Sequence, residues 1–432
     1  MVWDHFMGVF SIINRSKKRI ILILAVLNML FSFGMSFAFW ASEVSGNQNT
    51  GGSTVSLGVW YEGTPIYTAD EFIEAVTTTG NTNTYVLARD IDFQNLTYPA
   101  YINNDEIVFS GSLDGNGKTL SNLSTTNIRG LFGVLQSATI KNLTLDNIQI
   151  NYTPTGSITS GILAGRIQGA GNIIENIRIK NSSGTNTAYP VGALAGLAQP
   201  GTGDTTTVTA TISNIKITNT TLSGGFRNNT YGSGGVIGTV NNANLTLSDL
   251  YVEASVSTNT VSNLGGIIGA TLATGTVTIN RAVVFSNLSN TSNSTDTSIG
   301  TAAIVGRNQG SVTANDTFYS GFLRSYVTNP SNNNYTVRSG ILRAIGNNVT
   351  FTNSRSAQIT IYRRASNPSV LVNSNTLYNK LTGQKATFST AVYQNNRSSL
   401  NNAWWTTNYS NITSLPAIWE YNATTYLYQL KD

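Results

Sequence analysis

The chain has 432 residues, with 40 Gly, 8 Pro, one His and no Cys, and a formal net charge of +5. Without cysteine there is neither a disulfide nor a thiolate metal site, and the lone His5 has no partner with which to hold a metal or activate a nucleophile. Only 10% of residues are charged while 40% are hydrophobic, so the surface rests on amides and hydroxyls, and the periodic apolar content excludes a disordered chain.

Residues 1–41 read as an export signal or an N-terminal membrane anchor. Ser16-Lys17-Lys18-Arg19 precedes an uncharged run, IILILAVLNMLFSFGMSFAFWA at 20–41, close to the roughly 20 residues that span a bilayer. The basic residues keep the N-terminus inside, so the remainder is exported and extracellular, at the cell surface or secreted. Small residues Ser36, Ala38 and Ala41 offer a cleavage site, which leaves cleaved and membrane-retained forms both open. Residues 42–54 form a flexible Gly/Ser/Thr/Asn linker. Residues 55–83 hold a strand and a short N-capping helix: in TADEFIEAVTTTG (68–80), Thr68 is the N-cap, Glu71 follows three residues later, and Phe72, Ile73 and Val76 make an apolar face. This helix is expected over the first rung of the domain that follows.

Residues 84–350 repeat. GLFGVL (130–135), GILAGRI (161–167), GALAGLA (192–198), GGVIGTV (234–240) and GGIIGAT (265–271) each precede an alternating apolar strand. AAIVGRN (302–308) and GILRAIGN (340–347) continue the series more loosely. The closing glycines, Gly133, Gly165, Gly196, Gly238, Gly269, Gly306 and Gly346, are 32, 31, 42, 31, 37 and 40 residues apart. Such periods mean solenoids, propellers or arrays. Apolar runs of strand length, unequal spacing and scarce hairpin turns favour a parallel β-helix of about eight to ten rungs, roughly 4.8 Å apart, over a propeller. Glycine is expected where rungs turn, at positive φ, or stack closely. Asn142, Asn176 and Asn214 are placed for a side-chain amide ladder.

The Gly-apolar-x-Gly units resemble the GLUG-type repeats of bacterial surface and secreted proteins. The stretches TYVLARDIDFQNLTYPAYI (84–102) and FSGSLDGNGKTLSNLS (109–124) resemble the first rung of right-handed β-helix proteins of the pectate-lyase-like superfamily. The resemblance covers about residues 84–350. The residues themselves give the N-terminal transmembrane or signal helix and the short N-capping helix, and the resemblance implies an all-β, right-handed parallel β-helix (solenoid) with an aromatic-rich C-terminal cap. That cap belongs to residues 351–432, the last rungs and closing segment, where Trp404, Trp405, Leu415 and Trp419 are expected to cover the final rung.

The charge is unevenly placed. Residues 42–299 carry 16 acidic and 10 basic side chains, and residues 300–432 carry 3 and 11. Arg338, Arg343, Arg355, Tyr362, Arg363 and Arg364 are therefore the candidate ligand-binding set for an anionic polymer, and the opposed charges also suit head-to-tail self-association. Nucleic acid is excluded for an exported chain without a recognition motif. Enzymes of the resembled superfamily include polysaccharide lyases and hydrolases, the lyases using an acidic Ca²⁺ cluster. The best acidic candidates here are Asp90, Asp92 and Asp114, which also suit turns that bond backbone amides. Arg178-Ile179-Lys180 resembles a hydrolase motif but lies inside a repeat strand. The sequence thus predicts a cell-surface adhesin that binds a glycan or anionic surface polymer without catalysis, cofactor or metal. A self-assembling surface-layer element is the first alternative, and a polysaccharide lyase or glycoside hydrolase the second.

Overall fold

The structure is a computed structural model. It describes residues 61–94, 96, 98, 107–126, 128–153, 159–225, 230–260, 262–291, 300–325 and 397–432, with 24, 26 and short segments of 339–394. The apolar run at 20–41 lies outside the described residues apart from 24 and 26. Among the described residues no helix is long and apolar enough to cross a membrane.

Seven long strands carry the fold: β1 (Ser112–Thr125), β2 (Thr139–Tyr152), β3 (Asn172–Lys180), β4 (Val208–Gly224), β5 (Ala243–Thr258), β6 (Thr276–Asn290) and β7 (Ser311–Ser325). Each pairs in parallel with the next, one coil further on. Between them the Gly-apolar-x-Gly units supply two short strands per coil, which stack into a six-stranded and an eight-stranded sheet. Among the described residues the result is a parallel β-solenoid of about five turns, where eight to ten rungs were expected.

Parallel register stacks like on like. Ile140, Ile174, Ile212, Leu247 and Ile279 form one interior column, and Leu145, Ile179, Ile217, Val252 and Val284 another, all fully buried. Burying each such side chain is worth about 1.5–3 kcal/mol, but only if the neighbouring coil is present.

The long strands bend at a column of left-handed residues. Asn142, Asn176, Asn214, Asp249, Arg281, Asp316 and Asn353 have φ of 55°, 53°, 54°, 55°, 58°, 52° and 48°. The expected amide ladder runs along it: Asn142 Nδ2 donates to Asp114 Oδ1 (3.0 Å), Asn176 to Asn142 (2.9 Å) and Asn214 to Asn176 (3.1 Å). A second column, Asn122, Asn147, Asn181 and Asn219, repeats the device at φ of 61°, 56°, 51° and 44°. Asparagine tolerates this conformation because its short amide bonds locally.

The repeat glycines act differently from the expectation of a turn at positive φ. Gly133, Gly165, Gly196, Gly238, Gly269 and Gly306 all lie outside the left-handed region. They are places of close approach: a Cβ at Gly196 would strike the backbone of Ser160, and one at Gly306 the carbonyl of Leu264. Gly346 closes the strand Arg343–Gly346 in the same sheet.

At the N-terminal end a short helix packs on the coil. Helix α1 (Ala69–Thr77) has the full capping box, with Thr68 and Glu71 bonding each other's backbone N–H. Phe72 enters the coil's core, 5.6 Å from Phe93 and 6.2 Å from Phe132, ring centre to ring centre.

Asn176 separates the two demands made on a ladder position. Asn176→Gly keeps the left-handed backbone but removes the amide bonds, and should cost about 1–2 kcal/mol. Asn176→Val adds a conformational penalty and should cost about 2–4 kcal/mol in all. Denaturant midpoints and amide exchange of the neighbouring strands measure both; equal losses would contradict the backbone role.

Candidate functional site

The three acidic candidates are structural acceptors. Asp90 Oδ1 receives Thr119 N (2.7 Å), and Asp92 Oδ1 receives Gln94 N (2.8 Å) and Asn122 Nδ2 (3.1 Å). Asp114 Oδ1 receives Asn116 N (2.7 Å) and Asn142 Nδ2 (3.0 Å), while Oδ2 faces Lys141 Nζ at 3.2 Å. Burial raises the Asp114 carboxyl, but the Asn142 amide, the Asn116 N–H and Lys141 together hold it below its ordinary range. Asp92 and Asp114 start the two amide ladders. Among the described residues no group of three or more His, Cys, Asp or Glu is placed to hold a metal.

The C-terminal aromatics were expected over the last rung. They lie instead along the flank. Helices α2 (Asn402–Asn408) and α3 (Ser410–Thr413) and the hairpin Trp419–Asn422/Leu427–Leu430 fold into a strap. Trp405, Tyr409, Ile412 and Trp419 of the strap pack on Tyr251, Val283 and Phe318, outward-facing residues of β5, β6 and β7. The strap touches successive coils: Arg178 donates to Lys431 O (2.7 Å), Lys216 Nζ pairs with Asp432 Oδ1 (2.6 Å), and Trp419 Nε1 donates to Asp249 Oδ1 (2.9 Å). Further along, Asn411 Nδ2 donates to Asp316 Oδ2 (2.7 Å), and Tyr409 Oη to Thr317 O (2.9 Å).

Arg355 is part of this strap contact. It donates to Asn353 Oδ1 (3.1 Å) and Asn408 Oδ1 (2.5 Å) and lies about 5.9 Å from the Trp404 ring centre. Of the other ligand-binding candidates, Arg343, Tyr362 and Arg363 are placed by backbone only, on the strands Arg343–Gly346 and Arg355–Arg363. The side chains of those three, and Arg338 and Arg364 entirely, lie outside the described residues. The Arg178-Ile179-Lys180 strand binds the strap and the neighbouring coil.

One surface was not singled out from the sequence. On the outer face of the first arm of β4–β7 and the strand Val349–Thr352, register stacks Thr211, Thr246, Thr278, Thr313 and Thr350. Beside them run Ser213, Ser248, Asn280, Asn315 and Thr352 on one side and Thr209, Asn244, Thr276 and Ser311 on the other. Every one of these side chains is a hydroxyl or an amide, and all are exposed or half-buried. Columns repeat about every 4.8 Å between coils and about 6.8 Å along a strand. Threonine is held in few rotamers on a strand, so the array is pre-ordered. On the preceding coils the same columns carry Glu175, Lys141 and Asp114, so the uncharged array begins at β4. The sequence signal was the alternation of hydroxyl and amide residues with apolar ones in TVTATIS, LTLS, TVTIN and VTFT, which becomes a surface only once the register is known.

Comparison with solved structures returns the same architecture. The chain is similar to a candidate immunoglobulin A1 protease from Bacteroides ovatus, at 15% identity over 85% of this chain and 91% of that one, with a TM-score of 0.47. It is also similar to a structure named IgA1 protease, at 14% identity over 78% of this chain, with a TM-score of 0.51. It spans only 26% of that second protein. No protein-family description matches the chain, so GLUG membership is not confirmed, and no curated protein matches it. The expectation of a non-enzyme is corrected by the second of these structures, of similar fold, which carries the name of an enzyme.

Acid should loosen the end of the strap. The hydrogen bond from Lys216, with smaller contributions from Arg178 and Lys180, lowers the Asp432 carboxyl below its ordinary value of 3.8. A lowered carboxyl stabilises above that value and loses its contribution as pH falls through the bound-state value. Asp432 is exposed, so the pair is worth under about 1 kcal/mol. Between pH 7 and pH 3, amide protection at Leu427–Leu430 should fall while that of the coil holds. Asp432→Asn should show the lower protection already at pH 7.

Proposed function

We propose that this chain acts outside the cell, where its coil holds an extended hydroxylated polymer, a glycan or the glycan of a protein, along the uncharged array. The observation that carries this reading is the unbroken register of Thr211, Thr246, Thr278, Thr313 and Thr350 on an exposed face. A row of pre-ordered hydroxyls offers one donor and acceptor per coil to a ligand of similar repeat, at little rotamer cost on binding. The uncharged leader run after a basic cluster supports export.

A second reading follows from the neighbour named IgA1 protease. The coil would present an immunoglobulin substrate to a catalytic centre of the same exported protein. Incubation of the full chain with IgA1, followed by mass spectrometry of the fragments, checks this directly. Discrete new termini support it, and intact heavy chain after prolonged incubation counts against it.

The array reading is tested by retention of the full chain, in detergent, on insoluble cellulose, chitin and peptidoglycan. Thr246→Lys with Thr278→Lys should lower retention on the bound polymer at least about tenfold, near 1.4 kcal/mol, with melting unchanged. Retention should persist at high salt, since no charge is involved. Elution by salt, or equal retention of the double variant, would contradict the array and favour the basic C-terminal residues.

A further inference from the structure

A cavity of about 560 Å³ opens at the N-terminal end of the coil, within the usual size range of small-molecule sites. Its walls are the strand Thr64–Ile66, one face of α1 and the segment Thr78–Tyr85. Pro65, Ile66 and Ala75 give it an apolar side.

The polar groups converge from two directions. Glu71 and Glu74, both exposed, stand three residues apart on α1 and line the cavity. Glu71 Oε2 is fixed by Tyr67 N (2.6 Å) and Thr68 N (3.0 Å), and the Tyr67 N–H leads in holding this carboxyl below its ordinary range. Among the described residues Glu74 has no ion pair and no Lys or Arg lines the cavity, while the Arg89 guanidinium adds a smaller pull on the Glu71 carboxyl. On the segment Thr78–Tyr85, Tyr85 Oη accepts Asn81 Nδ2 at 2.8 Å and Asn83 Nδ2 at 3.4 Å and its ring packs 6.4 Å from Phe109, which leaves its own proton to donate. Asn81 is itself locked, donating to Ala75 O (2.7 Å) and accepting Asn83 N (3.0 Å). That wall is pre-ordered, as a binding site requires.

We propose that this cavity binds a small hydroxylated cation of amino-sugar size, its ammonium toward Glu74 and Glu71, its hydroxyls toward Tyr85 and Asn83, and its ring against Pro65 and Ile66. Anionic ligands such as phosphosugars are disfavoured by the two carboxylates. The inference is independent of the polymer array, which lies on other coils. The same chemistry is offered by a free amino sugar and by the de-N-acetylated end of a glycan.

Calorimetric titration of the full chain in detergent, with glucosamine, N-acetylglucosamine and a short chitosan oligomer, tests it. Glucosamine should bind at least tenfold more tightly than its neutral N-acetyl analogue. Glu74→Gln should lower glucosamine affinity at least tenfold, and Tyr85→Phe about threefold, with melting unchanged. Tighter binding of the oligomer than of glucosamine would identify a glycan end, and equal binding the free sugar. No binding by any of the three, equal affinity for charged and neutral sugars, or unchanged affinity in Glu74→Gln would overturn the proposal. Thr246→Lys with Thr278→Lys should leave this binding untouched, which separates its failure from that of the array.

Discussion

Every coil must offer its neighbour the same backbone bend at the same place, and the left-handed column from Asn142 to Asn353 meets that demand. Its residue types change along the shaft while its φ stays between 48° and 58°. Asparagine serves where the amide ladder continues. At Arg281, where the left-handed backbone costs about 1–2 kcal/mol, the guanidinium answers with two bonds to Asp249 of the coil before, each 2.7 Å. Because the bend is fixed, the alternation on either side is fixed too: isoleucine and leucine columns face inward and threonine columns outward. A slip of one residue would exchange the two faces.

The second constraint is what to do with an outward face that is not polar. Leu250-Tyr251-Val252, Ala282-Val283-Val284 and Thr317-Phe318-Tyr319 are buried on both faces of their strands. The strap covers the outer members and bonds to polar groups on coils before and after them, so it also ties the coils together along the axis. Burial at this contact raises the Tyr409 phenol well above its ordinary value, consistent with a hydroxyl that stays protonated and donates to Thr317 O.

Much of this was legible in the sequence, for identifiable reasons. The repeat, the strand pattern, the capping box at Thr68 and Glu71, and the ladder at Asn142, Asn176 and Asn214 are local or periodic features, and they appear in the structure. What depended on three-dimensional register was misread or unseen. The repeat glycines were expected to turn the chain, but the asparagines turn it and the glycines let neighbouring coils approach. Asp90, Asp92 and Asp114, offered by the sequence both as acidic candidates and as turn acceptors of backbone amides, make backbone and ladder bonds. The aromatic segment was assigned to the open end because its partner stripe is spread over three coils about 35 residues apart, an unbroken apolar run that signals burial on both faces. The threonine array was hidden likewise, since its members are neighbours only across coils.

The proposed function rests on that array. Amide hydrogen exchange of the full chain, with and without a soluble oligosaccharide of the polymer that retains it, tests the link most directly. Added protection is expected to be confined to Thr209–Ser213, Asn244–Ser248, Thr276–Asn280 and Ser311–Asn315. Protection centred on the strap at Trp404–Leu430, or none on the first arm of the coil, would contradict it.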